Sequence, residues 1–230
     1  MKKLWLLLPL LSALSLPARP DTSAADTSRF MEGMSYEALT PVGSTDVKPG
    51  QIEVIEFYWY GCPHCFALEP YVEAWEKAGL PKDVVFKRVP DSAPDSEFYV
   101  DAQAAFTADQ LGVGEKIREP FFNAIHLDDD EPLRTDQDAI RTFFGKFGVK
   151  PADFDAAWGS AGVQAALAKA QKLEDADGIQ GVPTIVIDGK WKTGAGHKLA
   201  SGDFMKPQDI MDCIQFLIAR QRTAHQVTGK

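Results

Sequence analysis

Two cysteines, Cys62 and Cys65, are the residues of this chain best suited to perform chemistry. Pro63 and His64 lie between them, and the largely apolar segment 52–60 precedes them. That segment predicts a buried strand, and proline is favoured in the first turn of a helix, so the pair is expected where a strand gives way to a helix. Two thiols at this spacing can close a disulfide with little backbone movement. The pattern therefore predicts thiol–disulfide exchange.

The two thiols are predicted to differ in acidity. Cys62 lies nearest the start of the helix, where unpaired backbone N–H groups and the helix dipole favour the thiolate. Cys65 lies a turn further in, where burial is expected to raise its pKa. We therefore expect Cys62 to form a mixed disulfide with a client protein and Cys65 to resolve it. His64 can carry positive charge and donate a hydrogen bond towards the Cys62 sulfur, which would make the disulfide a strong oxidant.

A second informative feature is the pair Val182 and Pro183, directly before the apolar run 184–187. A proline at the first residue of a strand can be a simple edge feature. The alternative is a cis peptide bond that turns the Val182 backbone towards the cysteines, where it could pair with an extended client peptide. Because a Cys-x-x-Cys motif precedes it in the chain, we expect the cis form.

The segments around the cysteines predict a βαβ unit. Apolar residues recur at helical spacing after Cys65, at Leu68, Val72 and Trp75, and residues 84–86 form a second apolar run. Strand, helix and strand in this order are expected to place the two strands parallel in one sheet. The cysteine pair would then lie at the end of the first strand.

Residues 95–178 have a different character, because their apolar side chains follow helical periods. We interpret this stretch as several helices that form a compact subdomain inserted into the α/β part. The sheet is predicted to resume at 184–187, which an Asp-Gly pair joins to 190–193 as a β-hairpin. A last helix is predicted over residues 207–222.

The amino terminus predicts export. Two lysines precede the apolar stretch 4–16, which is short for a membrane span, and small residues offer a cleavage site after Ala18 or as late as Ala25. We therefore predict that residues 1–18 are a removable signal peptide. The formal net charge of −9 argues against nucleic acid or an anionic membrane surface as a partner.

A strand, a Cys-x-x-Cys motif, a helix and a later Val-Pro before a hairpin are typical of the thioredoxin fold. With Cys-Pro-His-Cys, the helical insertion and the export signal, the chain resembles the DsbA family of periplasmic thiol:disulfide oxidoreductases. The resemblance covers most of the chain after Met31. It implies an α/β protein, a thioredoxin fold with an inserted all-helical subdomain. The implied parts are residues 19–94 and 179–230 for the thioredoxin fold and 95–178 for the insertion.

The resemblance also implies roles for the residues already named. The implied catalytic residues are Cys62 as nucleophile, Cys65 as resolving thiol, and Pro63 and His64 as the dipeptide that tunes the thiolate. Val182 and Pro183 correspond to the loop that contacts substrate. No metal ligand is implied.

Glu56 matches the buried acid that lies beneath the active site in this family. A carboxyl group in an otherwise apolar strand needs a partner and could shuttle a proton to or from Cys65. The family's lysine partner corresponds to Lys82 or Lys87, and the sequence does not decide between them. Glu53, on the same strand, is expected to be a solvated charge.

By resemblance, the protein is expected to be a monomeric, periplasmic oxidase whose redox group is the Cys62–Cys65 disulfide, with no other cofactor. Its expected clients are reduced, unfolded proteins that have just been exported. A quinone-linked membrane oxidase of the DsbB type is expected to reoxidise it.

Other interpretations of the cysteine pair stay open. A disulfide isomerase or reductase could use the same fold, although the short segment before Ile52 leaves no room for a dimerisation domain and Pro63-His64 argues against a reductase. A metal-binding module is less favoured, because structural zinc takes four ligands and the chain has one close cysteine pair. The third cysteine, Cys213, shares an apolar helix face and is expected to be a core residue.

Overall fold

The computed structural model describes residues 29–94 and 97–228. The predicted signal peptide, residues 1–18 with cleavage possible as far as Ala25, lies outside the described residues. None of the helices in the described part of the chain is long and apolar enough to cross a membrane.

Five strands of the described chain form one mixed sheet in the order β1-β5-β4-β2-β3. The strands are β1 (Glu37–Ala38), β2 (Ile52–Tyr58), β3 (Val84–Pro90), β4 (Thr184–Ile187) and β5 (Trp191–Gly194). β2 and β3 pair in parallel, whereas β4 runs antiparallel to both β2 and β5. The predicted parallel pair and the predicted hairpin are therefore confirmed, and β3 runs from Val84 to Pro90 as the sequence predicts.

The helix between β2 and β3 is α1 (Pro63–Lys77). Cys62 caps its first turn, because the sulfur accepts a hydrogen bond from the Cys65 backbone N–H, and Pro63 occupies the first helical position. Leu68 and Val72 face inward and are buried. The predicted βαβ unit is thus confirmed, with the cysteine pair at the point where β2 ends and α1 begins.

The chain between β3 and β4 is helical. It contains α2 (Glu97–Gln110), α3 (Gly114–His126), a 3-10 helix (Glu131–Arg134), α4 (Gln137–Gly145), α5 (Pro151–Trp158) and α6 (Ala161–Asp177). Local signals fix its boundaries: the Asp136 and Ser160 side chains cap α4 and α6, and Gly178 ends α6 at a φ of 58°, where glycine is favoured. After β5, α7 (Pro207–Thr228) extends beyond the predicted 207–222.

Two large cores form around this frame. One packs α1 and α7 against the sheet through side chains such as Val54, Leu68 and Ile214. The other fills the helical region with aromatic residues, among them Phe121 and Phe122, and it includes both cysteines of the motif together with Tyr58 and Tyr60. The cysteine pair therefore lies where the α/β part and the helical region share one apolar interior.

Candidate active site

The two candidate redox residues are free thiols, so the geometry is that of the dithiol form. Cys62 is 6% exposed and Cys65 is 1% exposed. The Cys65 backbone N–H donates to the Cys62 sulfur at 3.4 Å, and the Cys62 carbonyl accepts from the Phe66 N–H at 3.0 Å. The turn thus points a backbone N–H donor at the Cys62 sulfur and buries Cys65 more deeply.

This arrangement separates the acidities of the two thiols, as the sequence predicts. A hydrogen bond from the Cys65 thiol, with the N–H groups of Cys65 and His64 and the charge of His64, lowers the pKa of Cys62 to about 6. Burial raises the pKa of Cys65 well above its usual range, and the neighbouring Cys62 sulfur adds to that shift. Near neutral pH, Cys62 is the thiolate and Cys65 keeps its proton.

The loop before β4 contacts the motif directly. The Val182–Pro183 peptide bond is cis, which confirms the prediction made from the sequence. The Cys62 sulfur lies 3.4 Å from the Val182 carbonyl oxygen, to which the thiol donates a hydrogen bond when it is protonated. Gly194 on β5 supports the loop from behind, since a Cβ atom there would lie 2.1 Å from the Pro183 carbonyl oxygen. The structure therefore brings the predicted substrate loop against the predicted nucleophile.

Glu56 is buried on β2, as expected, but its partners are arginines. Oε2 of Glu56 lies 3.3 Å from Nε of Arg88 and 3.7 Å from Nη2 of Arg118. Burial raises the pKa of Glu56 to about 7, although the positive charge of Arg118 opposes the shift. A carboxyl group with this pKa can exchange a proton at neutral pH, and its charge also raises the pKa of Cys65.

The expectation that Lys82 or Lys87 pairs with Glu56 is wrong. In the register of β2 and β3, Arg88 stands beside Glu56 and Lys87 stands beside Ile55, and successive side chains of a strand point to opposite faces. Lys87 therefore lies on the other face of the sheet, where its ammonium pairs with Glu53. The expectation that Glu53 is a solvated charge is also wrong, because this residue is 3% exposed.

Three charged residues of the site were missed by the sequence reasoning: Glu69, Arg88 and Arg118. Nε and Nη2 of Arg118 donate to the two carboxylate oxygens of Glu69 at 2.6 and 2.8 Å. Nη2 of Arg88 lies 3.5 Å from Glu69 and 2.6 Å from Glu76. Glu69 could have been noticed, because it follows Leu68 on the inward face of α1. Arg118 gave no comparable signal, since it reaches the site from α3, more than fifty residues after the cysteines.

Two grooves flank the loop that carries Val182. The larger, with a volume of about 950 Å³, lies between this loop and the segment after β5. Its lining includes His64, Val182, Pro183, His197 and Phe204. The smaller has a volume of about 480 Å³ and includes Trp59, Cys62, Phe98, Glu174 and Val182 in its lining. A peptide lying across Val182 would therefore have a groove on each side of its cysteine.

The remaining cysteine is part of the core, as expected. Cys213 on α7 is 0% exposed and packs with Ile210, Ile214 and Leu217. Burial raises the pKa of its thiol to about 12, so it stays protonated. Among residues 29–94 and 97–228, no group of three or more His, Cys, Asp and Glu side chains is arranged to hold a metal ion.

Comparisons with known proteins agree with this geometry. A family model described as a DSBA-like thioredoxin domain matches residues 88–200. The thiol:disulfide interchange protein DsbA of Azotobacter vinelandii is 36% identical to the chain, covering 87% of it and 95% of the relative. The protein of that name from Pseudomonas aeruginosa is 34% identical over 87% of the chain and 90% of the relative.

A solved structure shows the same similarity in three dimensions. The crystal structure of Pseudomonas aeruginosa DsbA matches with a TM-score of 0.75 at 31% identity, covering 86% of this chain and 97% of that one. These similarities confirm the expected fold class, a thioredoxin fold of the DsbA type.

Proposed function

Because this chain belongs to the DsbA family of thiol:disulfide oxidoreductases, we propose that it is an exported oxidase that donates a Cys62–Cys65 disulfide to reduced client proteins. The observation that carries the proposal is the acidity of Cys62, whose pKa is lowered to about 6. A thiolate stabilised in this way favours the reduced form of the motif, so the disulfide tends to pass to other cysteines.

The first step forms a mixed disulfide. A client thiolate attacks the Cys62 sulfur, the Cys62–Cys65 bond breaks, and Cys65 leaves as a thiolate that takes up a proton. Cys62 is the favoured target because its sulfur faces the Val182 loop and is the more exposed of the two. The client is then joined to Cys62 by one sulfur–sulfur bond.

The second step releases the oxidised client. A second client thiolate attacks the client sulfur of the mixed disulfide, the bond to Cys62 breaks, and Cys62 leaves as a thiolate. The client loses two electrons and two protons overall, and the motif gains the electrons. Cys65 keeps the proton that it took up, and both client protons pass to solvent because Cys62 stays ionised near neutral pH.

His64, Pro63 and Glu56 support these steps. The His64 charge and N–H group stabilise the Cys62 thiolate, and Pro63 fixes the first turn that aims the backbone donors. Glu56 supplies the proton that the departing Cys65 sulfur needs, since its raised pKa of about 7 allows exchange at neutral pH. Each role follows from a contact or a charge in the dithiol form.

Val182 and Pro183 hold the client. With the Val182 carbonyl already aimed at the Cys62 sulfur, an extended peptide whose cysteine reaches that sulfur comes within range of the same backbone. Main-chain hydrogen bonds of this kind depend little on the side chains of the client, which suits a protein that must oxidise many unfolded clients.

The remaining parts of the proposal concern the setting. The protein acts as a monomer in the periplasm after its signal peptide, residues 1–18 or a segment ending as late as Ala25, has been removed. Its clients are reduced, unfolded proteins that have just crossed the inner membrane. A quinone-linked membrane oxidase of the DsbB type takes the two electrons from the dithiol and restores the disulfide.

The test compares matched cysteine variants on a reduced, unfolded protein that contains one cysteine pair. Cys62→Ala should abolish oxidation of that client. Cys65→Ala, loaded beforehand with glutathione in a disulfide at Cys62 and mixed with a one-cysteine variant of the client, should release glutathione and accumulate a client mixed disulfide, visible as the summed mass of the two chains less two hydrogens. Cys213→Ala is the control and should keep the rate of the parent protein. Retained oxidation by Cys62→Ala, or a client trapped on Cys65 instead, would contradict the proposal.

A further inference from the structure

Arg118 carries a charge from the helical region to the acid beneath the cysteines. It lies on α3 and is 7% exposed. Its guanidinium is held by both oxygens of Glu69, at 2.6 and 2.8 Å, and its carbon lies 4.1 Å from the ring centroid of Tyr58. A guanidinium fixed by a paired hydrogen bond and an aromatic face has little freedom to move.

Charged groups from three elements act on Glu56. Those that act on it are Glu69 and Glu76 on α1, Arg88 on β3 and Arg118 on α3, with the thiol of Cys65 nearby. Asp109 on α2 and Glu115 on α3 line an adjoining cavity of about 200 Å³. The three glutamates and two arginines of the cluster carry one negative charge when Glu56 is ionised and are balanced when it is neutral.

The two arginines are not equivalent. Arg88 also pairs at 2.6 Å with Glu76, whose side chain is 32% exposed. Part of the Arg88 charge is therefore neutralised by a carboxylate near the solvent. Arg118 has its charge matched within the buried cluster, by Glu69. Of the two arginines, Arg118 opposes the effect of burial on the Glu56 pKa more strongly, although Arg88 is closer.

We propose that Arg118 is a positioning residue of the oxidase: from the helical region it fixes Glu69 and stabilises the ionised form of Glu56, so that Glu56 can give and regain a proton beneath Cys65. The proton moves from the Glu56 carboxyl to the Cys65 thiolate when the mixed disulfide forms, and returns when the disulfide is restored. Without Arg118, the buried carboxyl would hold its proton too tightly to be a donor at neutral pH.

The test is the titration of Glu56 in the oxidised protein, followed by NMR of ¹³C-labelled glutamate carboxyl groups, with Glu56→Gln used to assign the signal. In Arg118→Met, the midpoint of the Glu56 signal should rise by about one unit or more, because an opposite charge within reach is removed. In Arg118→Lys, the charge stays but the two-point hold on Glu69 is lost, so a smaller rise is expected. Arg141→Met, in the same region with exposed partners, should leave the midpoint unchanged.

An unchanged Glu56 midpoint in both Arg118 variants would overturn the inference. If Arg118→Met does not fold, Arg118→Lys decides alone: a raised midpoint supports the inference and an unchanged one overturns it. The upper limb of the pH profile of client oxidation should move in the same direction as the midpoint. The inference depends on the proposed oxidase function, but the titration needs no client, so its failure would leave the cysteine experiment standing and the reverse also holds.

Discussion

Two regions act on the cysteine pair by different physics. On the client-facing side, hydrogen bonds from groups within three residues of Cys62 lower its pKa to about 6. On the buried side, Glu56 is surrounded by charges from α1, β3 and α3, and burial raises its pKa to about 7. The difference teaches that one half of the site is encoded in a contiguous motif, whereas the other half exists only once the chain has folded.

The two regions should also respond to pH in opposite directions. Cys62 loses its proton more easily in the folded protein than in the unfolded chain, and Glu56 keeps its proton more tightly. Folding therefore releases a proton at one side of the cysteine pair and takes one up at the other. Stability measurements on the reduced and oxidised forms can separate them, because the Cys62 thiol exists in the reduced form alone.

The largest effect is expected from Cys62. The pKa of Cys62 is about 6 in the folded protein, against an ordinary value of 9.0. The contribution of this thiolate to the free energy of unfolding is therefore fully present above pH 9.0 and is lost as the pH falls through about 6. As the pH rises between those limits, the free energy of unfolding of the reduced protein should increase by about 3 kcal/mol relative to that of the oxidised protein, after allowance for solvent screening. Urea unfolding of both forms across this range measures the difference. A difference that does not change with pH would place the thiolate elsewhere.

A comparable effect of opposite sign is expected from Glu56. The pKa of Glu56 is about 7 in the folded protein, above its ordinary value of 4.5. The stabilisation from the protonated carboxyl group is therefore fully present below pH 4.5 and is lost as the pH rises through about 7. Relative to Glu56→Gln, the free energy of unfolding of the oxidised protein should therefore fall by about 3 kcal/mol across that window. Parallel pH curves for the two proteins would show that the buried side does not titrate as described.

The substrate loop offers a test of geometry without charge. Gly194→Ala should destabilise the protein by about 1.5 kcal/mol, because the new methyl group must displace the Pro183 backbone, whose carbonyl oxygen is 2.1 Å from the Cβ position. Gly196→Ala, two residues away in open space, is the control and should change stability little. Equal unfolding midpoints for the two variants would show that the loop does not depend on β5.

The smallest effect is expected from His64, whose charge is one of several groups that act on Cys62. His64→Ala should raise the Cys62 pKa by about one unit, or ~1.4 kcal/mol, because the backbone donors remain. Thiolate absorbance at 240 nm, titrated in the reduced protein, measures this shift. His225→Ala on α7 is the control. If the pKa of Cys62 rose all the way to its ordinary value of 9.0 in His64→Ala, the backbone donors would contribute nothing.

The comparison also explains what could be predicted from the sequence. The order of strands and helices around Cys62 and the different acidities of the two thiols follow from short segments whose neighbours are fixed by chain geometry, and the cis bond before Pro183 was expected because a Cys-x-x-Cys motif lies upstream in the chain. Thioredoxin-type pairing of β2 with β3 was predictable for the same reason. These features need no knowledge of distant contacts.

The buried charges required information that short segments do not contain. Whether Lys87 or Arg88 faces Glu56 depends on the register of two strands, and a shift of one residue exchanges them. Arg118 is contributed by α3, whose position is set by packing among the helices between β3 and β4 and against Tyr58, through side chains such as Phe122. Glu56 in its apolar strand was one local sign of such a cluster, and a polar residue on the inward face of α1, Glu69, was another.

The central claim is that the motif is poised to give its disulfide away, and the redox equilibrium of the mature protein with glutathione tests it most directly. Fluorescence of Trp59, which lies beside the motif, can follow the equilibrium. The account predicts a reduction potential well above that of glutathione, because the Cys62 thiolate stabilises the dithiol. A potential near that of thioredoxin would contradict the account and would move the protein to the reducing side of its fold.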